Sequence, residues 1–513
     1  MNIVFAFADD WGRYASIYAE HEGPESINRL IHTPHIDRIA REGALFKNAS
    51  VPAPSCTPCR SSILSGQYFW QTGLGAILIG AVWDEQIPSY PLELEKTGYH
   101  IGHTYKVWAP GKTNNAPYGG LRTAYSSYGN RFNQFSHRAT ARAIEIGVDA
   151  AKRELLDEVR KNFDSFIDSR PVGKPFCYWW GPTNTHRTWE QGSGKALWGL
   201  NPDDLQGRMP VFLPDVPEVR EDFCDYLGEC QAFDAGLGVI LQRLEEIGEL
   251  DDTLVVVSGD HGIPGMPRAK CNLYNIGCEV ALTMRWPGHI QAGRVIEDFV
   301  NLMDLAPTFM EAAGADVPKS MSGRSLMKIL LSERNGQVDS KRTFVITGRE
   351  RHVNNAREGD LPYPQRAIRT QDYLYIINFE PDRWPMGDPK GLDQHDAVAP
   401  TYEELTNNTR IAYADMDASP TKAWMIHHRN ENQVNSLFKL AFDKRPIEEL
   451  YDLKKDSYYM HNVAEEPQYA EVKHILKTAL MTELFHQQDP RVIESPCRFE
   501  QAPYAGKLQS FQL

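Results

Sequence analysis

At 513 residues, 42% hydrophobic and 24% charged, the chain has the composition of a globular protein and the length for two domains of unequal size. A formal net charge of -14 argues against a broad basic surface for nucleic acid, so an anionic substrate has to be met by a local cluster of cations. Eight scattered cysteines (Cys56, Cys59, Cys177, Cys224, Cys230, Cys271, Cys278 and Cys497) make no disulfide framework and are expected to stay mostly reduced.

Ile3 to Ala8 is a compact apolar run of the kind a buried parallel strand requires. It empties into Asp9-Asp10-Trp11-Gly12. Adjacent carboxylates at the end of a buried strand repel each other, which a bound cation relieves; a solvated turn is the bland alternative. No basic start or cleavage site precedes the strand, and no apolar run approaches bilayer length, so a cytoplasmic protein without membrane contact is expected. Loss of an export signal would make it periplasmic or secreted. Thr33-Pro34 opens a helix that Gly43 closes.

Ser55-Cys56-Thr57-Pro58-Cys59-Arg60-Ser61-Ser62-Ile63-Leu64-Ser65-Gly66 places a cysteine at a helix start, with proline in the first turn and Gly66 as the stop. Cys56 and Cys59 read as a metal or redox pair lack two further ligands at matched spacing. A buried pair of small thiols is a second reading. The third is an anion site with a reactive group at its centre.

A short helix over Leu92–Lys96 ends at Gly98, and a strand follows to about Lys106, leaving through Val107-Trp108-Ala109-Pro110-Gly111. Thr140 to Asp168 carries apolar residues at helical spacing. Phe176–Trp180 is the next buried strand, and His186 lies just past its end, where open α/β sheets gather their sites. A long amphipathic helix then spans Phe223–Leu244, and Thr253–Ser258 is a strand ending in Gly259-Asp260-His261-Gly262. Lys270 follows in a loop, and Val280–Trp286 is a further strand. The alternation argues for an α/β fold with a large, mostly parallel central sheet over residues 1–360. Residues 361–513 read as a smaller α+β domain with an antiparallel sheet: paired strands at 366–369 and 373–377, another at 449–453, and a closing helix at 470–484. A polar excursion from Pro381 to Asn432 reads as a packed insertion facing substrate.

Each polar candidate falls at a strand end or a helix start, and Cys56-x-Pro58-x-Arg60 with the following Ser and Gly resembles the signature of the formylglycine-dependent sulfatases, of alkaline phosphatase-like fold. The resemblance implies that Cys56 is oxidised to formylglycine by a formylglycine-generating enzyme and steadied by Arg60. It implies that Asp9, Asp10, Asp260, His261 and residue 56 hold a divalent ion, usually Ca2+, with Mn2+ also open because His261 stands where many relatives have Asn. By the same resemblance Lys106 and Lys270 contact the sulfate and His186 serves the leaving group. The family has a His where this chain has Trp108; His103 is the nearest substitute in sequence.

Segments 104–111, 348–352 and 378–385 resemble bacterial proteins grouped with the heparan N-sulfatases (sulfamidases), which makes a sulfated oligosaccharide or polysaccharide the expected substrate. Arg349, Arg351 and His352 are candidates to bind it. Sulfate ester hydrolysis is the leading expectation; N-sulfate hydrolysis, a phosphodiesterase or phosphonate monoester hydrolase activity, and a non-catalytic glycan-binding role are the alternatives.

Overall fold

The computed structural model describes residues 1–113 and 115–506. Seven strands, β1 (Asn2–Ala8), β2 (Ala44–Ser50), β3 (His100–Tyr105), β4 (Phe176–Gly181), β5 (Thr253–Gly259), β6 (Leu282–Arg285) and β7 (Arg294–Asn301), form one sheet in the order β3-β4-β1-β5-β6-β2-β7. Every pairing is parallel except the two made by β6. All seven residues of β1 are buried, as an interior strand paired on one side with β4 and on the other with β5 must be.

Two-residue alternation divides the core. Ile3, Phe5 and Phe7 face one layer, with Ile63 and Leu64 of the Cys56–Ser65 helix and Leu305 and Phe309 of the Leu305–Ala312 helix. Val4, Ala6 and Ala8 face the other, with Phe163 of the Val148–Ser169 helix and Phe233, Leu237 and Leu241 of the Pro217–Glu246 helix. The result is a sheet covered on both faces, with its polar residues gathered where β1, β3, β4 and β5 all end.

A second sheet is antiparallel, in the order β11-β10-β9-β8: β8 (Phe344–Arg349), β9 (Gln365–Thr370), β10 (Tyr373–Asn378) and β11 (Glu448–Asp452). Its first strand lies ahead of residue 361, so the chain enters this sheet earlier than the strand pattern after 361 indicates. One face packs under Leu476, Leu480 and Leu484 of the Ala470–His486 helix. The other carries Ala367, Leu374, Ile376 and Tyr451 into the main core. The excursion, together with the Asn432–Phe442 helix that follows it, folds around a separate apolar cluster with Met386, Leu405, Tyr413, Met425 and Phe442 at its centre. Among the described residues no helix is long and apolar enough to cross a membrane.

Candidate active site

The Cys56–Ser65 helix is buried along its whole length and stops at Gly66, whose φ of 65° is the left-handed cap that glycine accepts without penalty. Cys56 opens this helix. Its Sγ is 3.4 Å from His261 Nε2 and 3.7 Å from Asp10 Oδ1. Burial, followed by the charge of Asp9, raises the Cys56 thiol well above its ordinary value, so the unmodified side chain is a thiol and not a nucleophilic thiolate.

One helical turn on, Arg60 joins two strand ends. Its Nε donates to Asp260 Oδ2 at 2.8 Å and its Nη2 to Asp9 Oδ1 at 2.9 Å, while Nη1 donates to the carbonyls of Lys106 and Val107. Lys106 Nζ reaches both oxygens of Asp9, at 2.6 and 2.8 Å. Lys270 Nζ is 2.8 Å from Asp10 Oδ2 and 3.1 Å from Asp417 Oδ2. The His186 ring is the more open member: its Nδ1 lies 2.6 Å from the Arg187 carbonyl, its Nε2 is 3.8 Å from Asp10 Oδ2, and 35% of its side chain is exposed. The buried acids and cations therefore close the floor of the site, and His186 stands at its mouth.

Backbone conformation supports the same centre. Asp10, Tyr105 and Cys271 take positive φ values of 55°, 68° and 68°, beside Asp9, Lys106 and Lys270 respectively. A non-glycine residue there costs about 1–3 kcal/mol, a strain that concentrates at functional sites. At Gly181 any Cβ would stand 1.9 Å from the Lys106 carbonyl, so only glycine lets the ends of β3 and β4 come this close.

A family model described as Sulfatase matches residues 1–315, and one described as N-sulphoglucosamine sulphohydrolase, C-terminal, matches residues 268–394. The chain belongs to the sulfatase family. It is 27% identical to N-sulphoglucosamine sulphohydrolase of Homo sapiens, over 96% of this chain and 91% of that protein. It is also 27% identical to an ulvan-active sulfatase of Formosa agariphila, over 92% and 77% respectively. Among solved structures, BT4656 in complex with its substrate D-glucosamine-2-N,6-O-disulfate superposes with a TM-score of 0.60 at 19% identity, covering 96% of this chain and 99% of that one.

In this sulfatase Asp10, Cys56, Asp260 and His261 each offer a donor atom within 4.8 Å of the others, and Asp9, Asp10 and His186 form an adjoining group. Sulfatases generally use a divalent metal and a formylglycine, and this donor set fits such an ion: three buried carboxylates crowd together, Asp10 N–H already bonds Asp260 Oδ1 at 2.7 Å, and His261 Nε2 is 3.1 Å from Asp10 Oδ1.

Four expected substrate contacts lie elsewhere. Trp108 is buried, donates from Nε1 to Ser61 Oγ at 2.8 Å and packs edge-on to Trp83; its indole fills the core beneath the helix. His103 packs against Tyr118 and bonds Thr123 Oγ1, and burial pushes it down to about 4, a neutral core imidazole. Arg349 is consumed by Asp415 and the Cys271 carbonyl, and Arg351 is buried against the Ile79 carbonyl. His352 does join the site from behind, with Nδ1 2.8 Å from Ser55 Oγ, next to Cys56.

Two contributors carried no signal in the sequence. Thr185 Oγ1 donates to the Asp9 carbonyl at 2.5 Å, fixing the loop of His186 to the end of β1. Asp417 arrives from the excursion. Nothing local to residue 417 marks it, because only the folded excursion brings it to Lys270.

Proposed function

We propose that this sulfatase removes sulfate from a sulfated saccharide, with Cys56, matured to formylglycine, as the reacting position. The observation that carries the reading is the convergence of Arg60, Lys106 and Lys270 on one buried helix start, opposite a half-exposed His186. A sulfated sugar is anionic before it reacts, and these cations offset its charge as the attacking oxygen approaches.

A formylglycine at position 56 would supply the hydrated aldehyde as nucleophile, and Asp9, Asp10, Asp260, His261 and residue 56 would hold a divalent ion, with Ca2+ the leading candidate, that would supply electrophilic charge when bound. Arg60 bridges Asp9 and Asp260 and offsets their charge, with Asp9, against its burial, held below the usual carboxylate range by Lys106 and Arg60. Lys106 and Lys270 bind the sulfate oxygens. His186, whose Nδ1 is held by the Arg187 carbonyl, presents Nε2 to the leaving atom and protonates it as general acid. The maturing enzyme meets the Cys56 segment before folding, because every residue from Cys56 to Ser65 is buried afterwards.

Free sulfate released by fully converted protein from a panel of O-sulfated sugars, N-sulfoglucosamine and an aryl sulfate tests this reading, with an aryl phosphonate in parallel. Release from saccharides, abolished in Cys56→Ala, is expected; preference for the phosphonate would overturn it. The match of residues 268–394 to the N-sulphoglucosamine sulphohydrolase C-terminal model supports a second reading, S–N cleavage, and the N-sulfoglucosamine arm separates it from ester hydrolysis.

A further inference from the structure

Asp417 reaches the site from the loop between the Tyr402–Asn407 and Pro420–His427 helices, beyond both matched family segments. Its Oδ2 sits 3.1 Å from Lys270 Nζ, yet no donor is aligned to hydrogen-bond that buried oxygen, and the side chain keeps 19% of its surface open. Burial alone would raise its pKa, but Lys270, then His186 and His352, hold the carboxyl well below the usual range. It is an anion at neutral pH.

The loop that presents it is fixed from several sides. Asp415 accepts from Arg349 at 2.5 Å and from Arg357 at 2.6 Å. Lys422 Nζ donates to the carbonyls of Tyr413 and Met416, at 3.1 and 2.8 Å. Ser419 Oγ donates to the Gly265 carbonyl at 2.7 Å. Asp417 is therefore held in place on a built support, without freedom to swing away from an incoming ligand.

A carboxylate beside a sulfate-binding lysine works against sulfate binding, and its buried Oδ2 meets the charge of Lys270 at 3.1 Å without a well-aligned donor. Both penalties are relieved by a ligand that brings a donor. Lys270, which the reading above gives to the sulfate, lies 3.1 Å from Asp417, and the charge of His186, which it gives to the leaving atom, also acts on that carboxylate. The part of a sugar that lies next to both, and is not the sulfate, is the ring position adjacent to the sulfated one. A hydroxyl there satisfies Asp417, whereas a second sulfate there would set like charges in contact.

We propose that Asp417 accepts a hydrogen bond from the hydroxyl vicinal to the scissile sulfate and excludes saccharides sulfated at that vicinal position. The inference rests on the saccharide sulfatase reading above.

The test compares kcat/KM for release of the 2-sulfate within two matched pairs: N-sulfoglucosamine against glucosamine 2-N,3-O-disulfate, and galactose 2-sulfate against galactose 2,3-disulfate. Wild type, Asp417→Asn and Asp417→Ser are assayed on each. Wild type should favour the monosulfate by about tenfold or more in whichever pair it hydrolyses, a conservative figure for the contact of like charges. Both variants should bring that ratio toward one and raise KM for the monosulfate. Equal losses on both members of a pair, with the ratio kept, would mean that Asp417 only steadies Lys270 and would overturn the inference. A wild-type ratio near one overturns it as well, and decides the matter even if neither variant folds. Sulfate from none of the four sugars overturns this inference, and the saccharide reading falls with it only if the O-sulfated panel above releases none either.

Discussion

Arg60 donates to two of the three carboxylates of the site while its guanidinium stacks 5.0 Å from the centre of the Phe7 ring. It is fully buried, and so are its partners, so its removal leaves uncompensated charge in a place water does not reach. Arg60→Met should destabilise the fold by about 3–5 kcal/mol, the cost of breaking a buried pair by deleting one partner. Arg60→Lys keeps the charge but not the fork that spans Asp9 and Asp260, and should fold better than Arg60→Met while losing most turnover. Urea unfolding of the two variants checks this; an Arg60→Met curve superimposed on wild type would remove the ion pairs from the account of the fold. Cys56 makes a second residue-scale case. Its thiol is buried, so the maturing enzyme should convert a denatured or nascent chain and leave the folded, unconverted protein untouched. Intact mass read before and after incubation distinguishes the two, since conversion replaces CH2SH by CHO.

The Pro217–Glu246 helix shows what apolar periodicity conceals. Its Phe, Leu and Cys stripe was legible, but the same helix buries acids that each fasten a different segment. Asp222 accepts from Arg187 and Thr421, tying the His186 loop to the excursion. Asp225 accepts the N–H groups of Gly192 and Gly194, Glu229 those of Ser136 and Asn184, and Asp234 those of His35 and Ile36. Burial pushes Glu229 up to about 7, despite the bonds it accepts. A carboxyl raised in this way is protonated in the folded state over a range where the unfolded chain is already ionised. Its contribution to stability is therefore present below the unfolded value near 4.5 and is lost as pH rises through about 7. Glu229→Gln, which mimics the protonated form, should be close to neutral at pH 5 and should raise the melting temperature at pH 8, by an amount worth roughly 1–3 kcal/mol. Thermal unfolding at both pH values checks the sign, and a variant that is less stable at pH 8 than at pH 5, relative to wild type, contradicts it.

On the scale of the whole molecule, the catalytic half was legible because each site residue follows an apolar run that cannot stop anywhere except at the edge of the sheet. Asp9, Lys106, His186 and Asp260 each fall at the end of such a run, and the resemblance to the sulfatases is what drew them into one site with Cys56, Arg60 and Lys270. The substrate-facing half was not, because it depends on contacts between distant segments. His103 lies three residues before Lys106, yet it is enclosed by Tyr118, and Trp108 is drawn under the helix by Ser61. Asp417 becomes visible only once Lys422, Asp415 and the two arginines have folded the excursion. The same geography would make a divalent ion bound here a clamp on the fold: the candidate donors come from the end of β1, the end of β5 and the helix between β2 and β3, so one ion would join segments more than 200 residues apart. Without an ion the charge of the three buried carboxylates is offset chiefly by Arg60, Lys106 and Lys270. A ligand that binds the folded state and not the unfolded one stabilises by about 2.7 kcal/mol at a hundred times its Kd. Stripping the protein with EDTA should accordingly lower its melting temperature by several degrees, and Ca2+ should restore it, with sulfate release following the same titration. A Cys56→Ala protein should show the same thermal shift without any sulfate release, because most of the donors remain. If EDTA and Ca2+ leave both melting curves unmoved, the carboxylates are balanced by the cations already in place and the metal has no part in holding the strand ends together.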